Sequence, residues 1–140
     1  MTNVNEDDGV RAFKLLLKDD FDTYRSIFQE CLQSEFDEQS RARALYSIGQ
    51  SYLMERDWLN AERYFNQAIS LFRSTKDLLG LATSLSQQAL VLSQQAKTEL
   101  AEKLIAESVD IGRKLKLDEE NIHDWFLAPF FSSRDKWGNK

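Results

Sequence analysis

Residues 44–72 read ALYSIGQSYLMERDWLNAERYFNQAISLF, and this stretch decides the fold. Apolar side chains recur every three or four positions as far as Met54, pause over Glu55-Arg56-Asp57 and resume at Trp58. That is a helical period broken once by a polar turn. Asp57 stands where an N-cap would restart the helix, its carboxylate accepting from the first unpaired amides. Gly49, Ala61 and Ala68 are small enough for two backbones to approach, and Tyr52 and Phe65 fill the space between. The stretch predicts a pair of antiparallel helices.

Working outward, the same pattern returns. Residues 84–112, SLSQQALVLSQQAKTELAEKLIAESVDIG, align with 44–72 at a shift of 40 without a gap. Leu45 then meets Leu85, Gly49 meets Ala89, Tyr52 meets Leu92, Ala61 meets Ala101, Phe65 meets Ile105 and Ala68 meets Ser108. Thr98 is the matching N-cap candidate. Upstream, a shift of 37 pairs Ala12 with Gly49, Leu15 with Tyr52, Tyr24 with Ala61, Phe28 with Phe65 and Cys31 with Ala68. A first repeat departs from the pattern because one of its faces meets solvent instead of a neighbour.

Leu45-x2-Ile48-Gly49-x2-Tyr52, followed by Ala61-x3-Phe65-x2-Ala68, resembles the tetratricopeptide repeat with its spacings kept. Residues 84–112 resemble a degenerate copy, and the resemblance spans roughly residues 8–115. Two features depart from the family pattern. The proline that often closes its repeat is absent near Arg73, and the period is 40 where the family has 34. Longer helices and a longer turn around STKDLLG (residues 74–80) would account for both. The expected architecture is all-α: an antiparallel helix-pair solenoid of about three repeats plus a C-terminal capping helix. Helices are expected at about 8–18, 21–34, 38–55, 58–74, 78–96, 98–115 and 119–128. The expected organisation is a disordered acidic N-terminus (1–7), a helical domain (8–128) and an aromatic and polar tail (129–140).

Composition agrees. One proline and five glycines in 140 residues leave few helix breakers. A chain of this length buries roughly two-thirds of the surface its unfolded form exposes, so it needs no staples. Its single cysteine excludes an internal disulfide framework, and no Cys/His spacing suggests zinc. The acidic start MTNVNEDDGV is unlike a signal or transit peptide. The longest apolar runs, 15–17 and 125–131, are too short to span a bilayer. A cytoplasmic protein with no membrane span is the expectation.

The net charge of −5 argues against nucleic acid. It is concentrated at one end: residues 1–40 hold ten acids and four bases (−6), residues 41–140 thirteen and fourteen (+1). The acidic third either aids solubility or attracts a basic partner.

Catalysis finds little support. His123, the only histidine, has no partner histidine and no nucleophile motif beside it. Cys31 falls on a packing position, as a small buried hydrophobe would. Counted as a calcium loop from Asp20, the turn glycine would be Arg25 and the closing glutamate Cys31, so the motif fails. The acids there suit a helix N-terminus instead. No cofactor, metal or enzymatic activity is expected.

The resemblance implies that the first helix of each pair lines a concave groove for another protein. On matching positions this groove presents Arg43, Tyr46, Ser47, Gln50, Leu53 and Met54, then Thr83, Ser86, Gln87, Leu90, Ser93 and Gln94, with Phe13, Leu16 and Leu17 at its start. Family members that clamp a C-terminal carboxylate use Lys, Arg and Asn there. With Arg43 the only such residue, that clamp is not expected. A groove apolar at its start and lined by hydroxyls and amides farther on suits an amphipathic helix or an extended segment. The expected function is a non-catalytic adaptor or regulatory scaffold. The alternative is a small acidic chaperone, similar to those of secretion systems, that holds an aggregation-prone client.

Beyond residue 117, Asp118 reads as an N-cap, with Ile122, Trp125 and Phe126 on one helical face. Such a helix would cover Leu104, Ile111 and Leu115 at the open end of the stack, and Pro129 would stop it. Phe130, Phe131 and Trp137 then follow, candidates to fold back into the groove or to join a neighbour in a homodimer.

Overall fold

The computed structural model describes residues 6–34 and 37–115, without the side chains of residues 6–10 and 13. The expected helix at 119–128, His123, the groove candidate Phe13 and the tail residues Phe130, Phe131 and Trp137 lie outside the described residues. Within them the chain forms six helices and no strand: α1 Glu6–Leu17, α2 Phe21–Gln33, α3 Glu38–Met54, α4 Trp58–Thr75, α5 Leu78–Gln94 and α6 Thr98–Lys114. Each helix packs on the next, and α3 also touches α5. This is the expected stack of helix pairs, with the first helices of successive pairs side by side.

Recurring caps set the boundaries. Asp20, Asp37, Asp57 and Asp77 each accept a hydrogen bond from the amide three residues on, at Thr23, Ser40, Asn60 and Gly80. Each carboxylate thereby satisfies one of the amides a helix start leaves without a partner. At α6 the cap position is Lys97, which makes no side-chain cap bond. The expected cap Thr98 is instead the first helical residue, so α6 begins without this stabilisation.

The helix ends repeat one device as well. The amides of Asp20, Asp57, Asp77 and Lys97 bond the carbonyl five residues back, at Leu15, Tyr52, Phe72 and Leu92. The residue before each is left-handed: Asp19, Arg56, Lys76 and Ala96, with φ from 58° to 64°. This is the Schellman closure, here built without glycine.

The turn expected to be long is short. Only Lys76 and Asp77 separate α4 from α5, so the repeat exceeds 34 residues because its helices run to 17 or 18 residues. The upstream shift of 37 has an equally simple origin. α2 has 13 residues against 18 in α4, and four residues separate α2 from α3 against two between α4 and α5.

The core runs along the stack. Leu45, Phe65, Phe72, Leu85 and Ile111 belong to one cluster joining α3 to α6. Leu16, Tyr24, Phe28, Cys31 and Ile48 form another joining α1 to α3. Cys31 is buried in this second cluster, as its packing position predicts. The glycines act through close approach. A Cβ on Gly49 would sit 2.9 Å from the Phe65 ring, and one on Gly80 would sit 2.4 Å from the Phe72 ring. The aligned pair Phe65 and Ile105 diverges: Phe65 is 0 % exposed, Ile105 48 %. Phe65 lies in the cluster that runs on into α5 and α6, whereas no described helix follows α6.

Candidate functional site

The α3–α5 face is where the sequence places a groove, and most of its polar lining turns inward. Tyr46, Ser47, Gln50, Thr83 and Ser86 are all buried. The Gln50 amide donates to the Tyr46 hydroxyl at 2.5 Å, and the Tyr46 ring lies 5.6 Å from that of Phe65. Ser47 lies beside the Tyr24 hydroxyl of α2 and partly offsets the effect of burial on it. Burial raises the pKa of both phenols above the usual tyrosine value, so both stay protonated and neutral. The Thr83 hydroxyl donates to the Leu79 carbonyl. Those of Ser86 and Ser108, 2.9 Å apart, both reach the Ala82 carbonyl.

These hydroxyls and amides therefore satisfy their own helices and neighbours, as buried polar groups must. The hydroxyl- and amide-lined surface expected from the sequence is largely internal. At the start of the groove Leu16 is core while Leu17 is exposed.

The surface that stays accessible mixes large apolar side chains with polar ones. Met54 and Leu90 are 46 % and 45 % exposed. Arg43, Ser93 and Gln94 are also exposed, and Gln87 and Leu53 are half-buried. The expected residues Leu53, Met54, Leu90 and Gln94 come together in a recess of about 280 Å³, which Arg56 and Trp58 complete. This volume lies just under the usual small-molecule range of roughly 300–1,000 Å³, a size suited to one bulky side chain.

The turn makes the recess. Asp57 caps α4 and leaves Trp58 as its first residue, beside the end of α3. The left-handed Arg56 reverses the chain between them. Sequence reasoning missed Arg56 and Trp58 because the first belongs to the turn and the second to the start of α4, outside the first-helix faces on which the groove was placed. The available signal was RDWL itself, a tryptophan directly behind a cap residue and three positions before Ala61, at the start of the Ala61–Phe65–Ala68 packing stripe.

Charge is distributed unevenly around this site. Glu55 is held by Arg25 at 2.6 Å, and Asp57 accepts from the Asn60 side-chain amide at 2.7 Å. Arg56 enters no ion pair among the described residues. Arg25 reaches Ser51 and Asp22 as well, tying α2 to α3. Burial lowers its pKa, but the Glu55 bond and charge outweigh that and hold it above the ordinary value. Among the described residues no three His, Cys, Asp or Glu side chains are grouped to hold a metal. No described helix is long and apolar enough to cross a membrane.

Comparison with known proteins agrees with this geometry. A family model described as Tetratricopeptide repeat matches residues 40–114, just over half of the chain. It covers the four helices that build the recess and the stack behind it. Searches of curated proteins and of solved structures returned no match.

Proposed function

This chain belongs to the tetratricopeptide repeat family, and we propose that it is a non-catalytic adaptor that takes a segment of another protein on its α3–α5 face. The family mediates protein–protein interaction, which sets the class of function. The finer reading rests on one observation: Met54 and Leu90, from two successive repeats, expose large apolar side chains at one recess floored by Leu53 and Trp58. Apolar side chains that converge on a concave site are the usual anchor points for a partner's helix or extended segment.

The buried members of the expected groove support this role indirectly. Tyr46, Gln50, Thr83 and Ser86 hold α3 and α5 in place, and the exposed residues make the contact. Affinity capture from the source cells tests the assignment, comparing the native chain with Met54→Glu/Leu90→Glu. Both substitutions lie on the surface, so helicity and melting should stay within the small range of such changes, while the captured partner is lost. A partner retained by the double variant would exclude this face.

A further inference from the structure

We infer that the segment received by the recess is acidic: a bulky apolar side chain seats among Leu53, Met54, Trp58 and Leu90, and a neighbouring carboxylate pairs with Arg56. This rests on the reading that the recess takes a partner segment, and adds that segment's chemistry.

Charge carries the inference. The whole chain is at −5, yet the face formed by residues 43, 46, 47, 50, 53 and 54 of α3 and 83, 86, 87, 90, 93 and 94 of α5 contains no carboxylate. Its one ionic side chain is Arg43, and Arg56 adds a second positive charge at the recess. The acids nearest in sequence do not line the recess and have partners of their own, Glu55 in Arg25 and Asp57 in Asn60. From α4, Glu62 is held by Gln95 at 2.9 Å and approached by Lys97 at 3.6 Å. From α5 the lining group is the neutral Gln94. An incoming carboxylate thus meets a guanidinium with five donors and no like charge on the recess wall, whereas an incoming lysine meets repulsion. A cationic face on an acidic protein selects its partner by charge more than it strengthens binding.

Selection of random dodecapeptides displayed against the full-length chain tests this. The expected pool carries Trp, Phe, Leu or Met with Asp or Glu within four residues. The best synthetic peptide should lose all binding to Leu90→Glu. It should bind Arg56→Gln about three- to tenfold more weakly, the scale of a rim ion pair, and Arg56→Glu more weakly still. Raising salt should weaken binding to the native chain more than to Arg56→Gln.

Peptides lost on Leu90→Glu but free of acids, and indifferent to Arg56→Gln, would overturn the acidic assignment and leave the recess as a docking site. A pool with no dependence on Leu90 would overturn both. A light-scattering mass of two chains that falls to one in Leu90→Glu would overturn the inference in favour of a second copy as occupant. Binding that appears only after residues 116–140 are removed would overturn it in favour of that segment.

Discussion

The guanidinium of Arg25 lies 4.1 Å from the centroid of the Tyr52 ring, and Tyr52 in turn stacks on Tyr64 with centroids 5.6 Å apart. Three consecutive helices are thus joined by one cation and two aromatic rings, with Glu55 and Ser51 accepting from the same guanidinium. At 12 % side-chain exposure the cation is largely desolvated, the condition under which such contacts are strongest. Arg25→Ala should lower stability by about 1–2 kcal/mol. Arg25→Lys should recover less than half, since an ammonium cannot reproduce the planar fork. Urea midpoints at unchanged slope measure both, and a lysine variant equal to native would exclude the stacking role.

Gly49 and Gly80 are held by aromatic neighbours. Gly→Ala in a helix ordinarily gains about 1 kcal/mol, but the new methyl would meet the fully buried Phe65 or the buried Phe72. Overpacking of this kind costs about 1–3 kcal/mol, so both variants should be destabilised, Gly80→Ala the more because its approach is shorter. Adding Phe72→Leu to Gly80→Ala should cost less than the two single effects summed. Full additivity in thermal or urea unfolding would mean that the ring and the methyl never meet.

The start of α6 leaves room for improvement. Ala96 is left-handed at φ 62° without being glycine, a conformation that costs an L-residue roughly 1–2 kcal/mol. Ala96→Gly should therefore stabilise the chain by several tenths to about 1 kcal/mol, the gain being reduced by glycine's unfolded-state entropy. Lys97→Asn would supply the side-chain cap that the other helix starts receive from aspartate, for about 0.5–1 kcal/mol. The Lys97–Glu62 contact that it removes is long and half-exposed, so little is lost with it. Calorimetric melting of the two variants checks the sign.

Acid should destabilise the fold through identified carboxylates. Hydrogen bonding and charge from Arg73 hold the Glu107 pKa below its ordinary 4.5, and the Ser40 amide at the α3 cap holds Asp37 below 3.8. A folded-state pKa below the unfolded one means stability present above the unfolded value and lost as pH falls through the folded one. The loss thus begins below about pH 4.5 and runs to lower pH. The Arg73–Glu107 pair is bidentate at 2.7 and 3.0 Å but exposed, so Glu107→Gln should cost under about 1 kcal/mol at pH 7. Its denaturation midpoint should fall less steeply with acid than the native one. Parallel pH profiles would remove Glu107 from the acid response.

Several elements were legible without coordinates because they depend on local chemistry. Periodicity located all six described helices to within two residues, and Asp57 marked its cap. The unread caps Asp37 and Asp77 were equally available, each twenty residues from Asp57. Thr98 misled because a good capping residue can also stand at the first helical position, and only backbone geometry separates the two. The turn at residues 74–80 was expected to be long because composition does not reveal how many of its residues the helices absorb.

The sequence by itself determined the repeat, its register and the residues that pack between helices, because a 3.6-residue period and small-against-large spacing survive in a one-dimensional string. Tertiary structure alone decided which groove residues remain available. Tyr46 and Met54 share one helix and one face by count. Burial of one and exposure of the other depend on how far the neighbouring helices reach along α3. The same dependence brings Arg56 from the turn and Trp58 from the start of α4 to Leu90, more than thirty residues away in the chain, a proximity that no local pattern encodes.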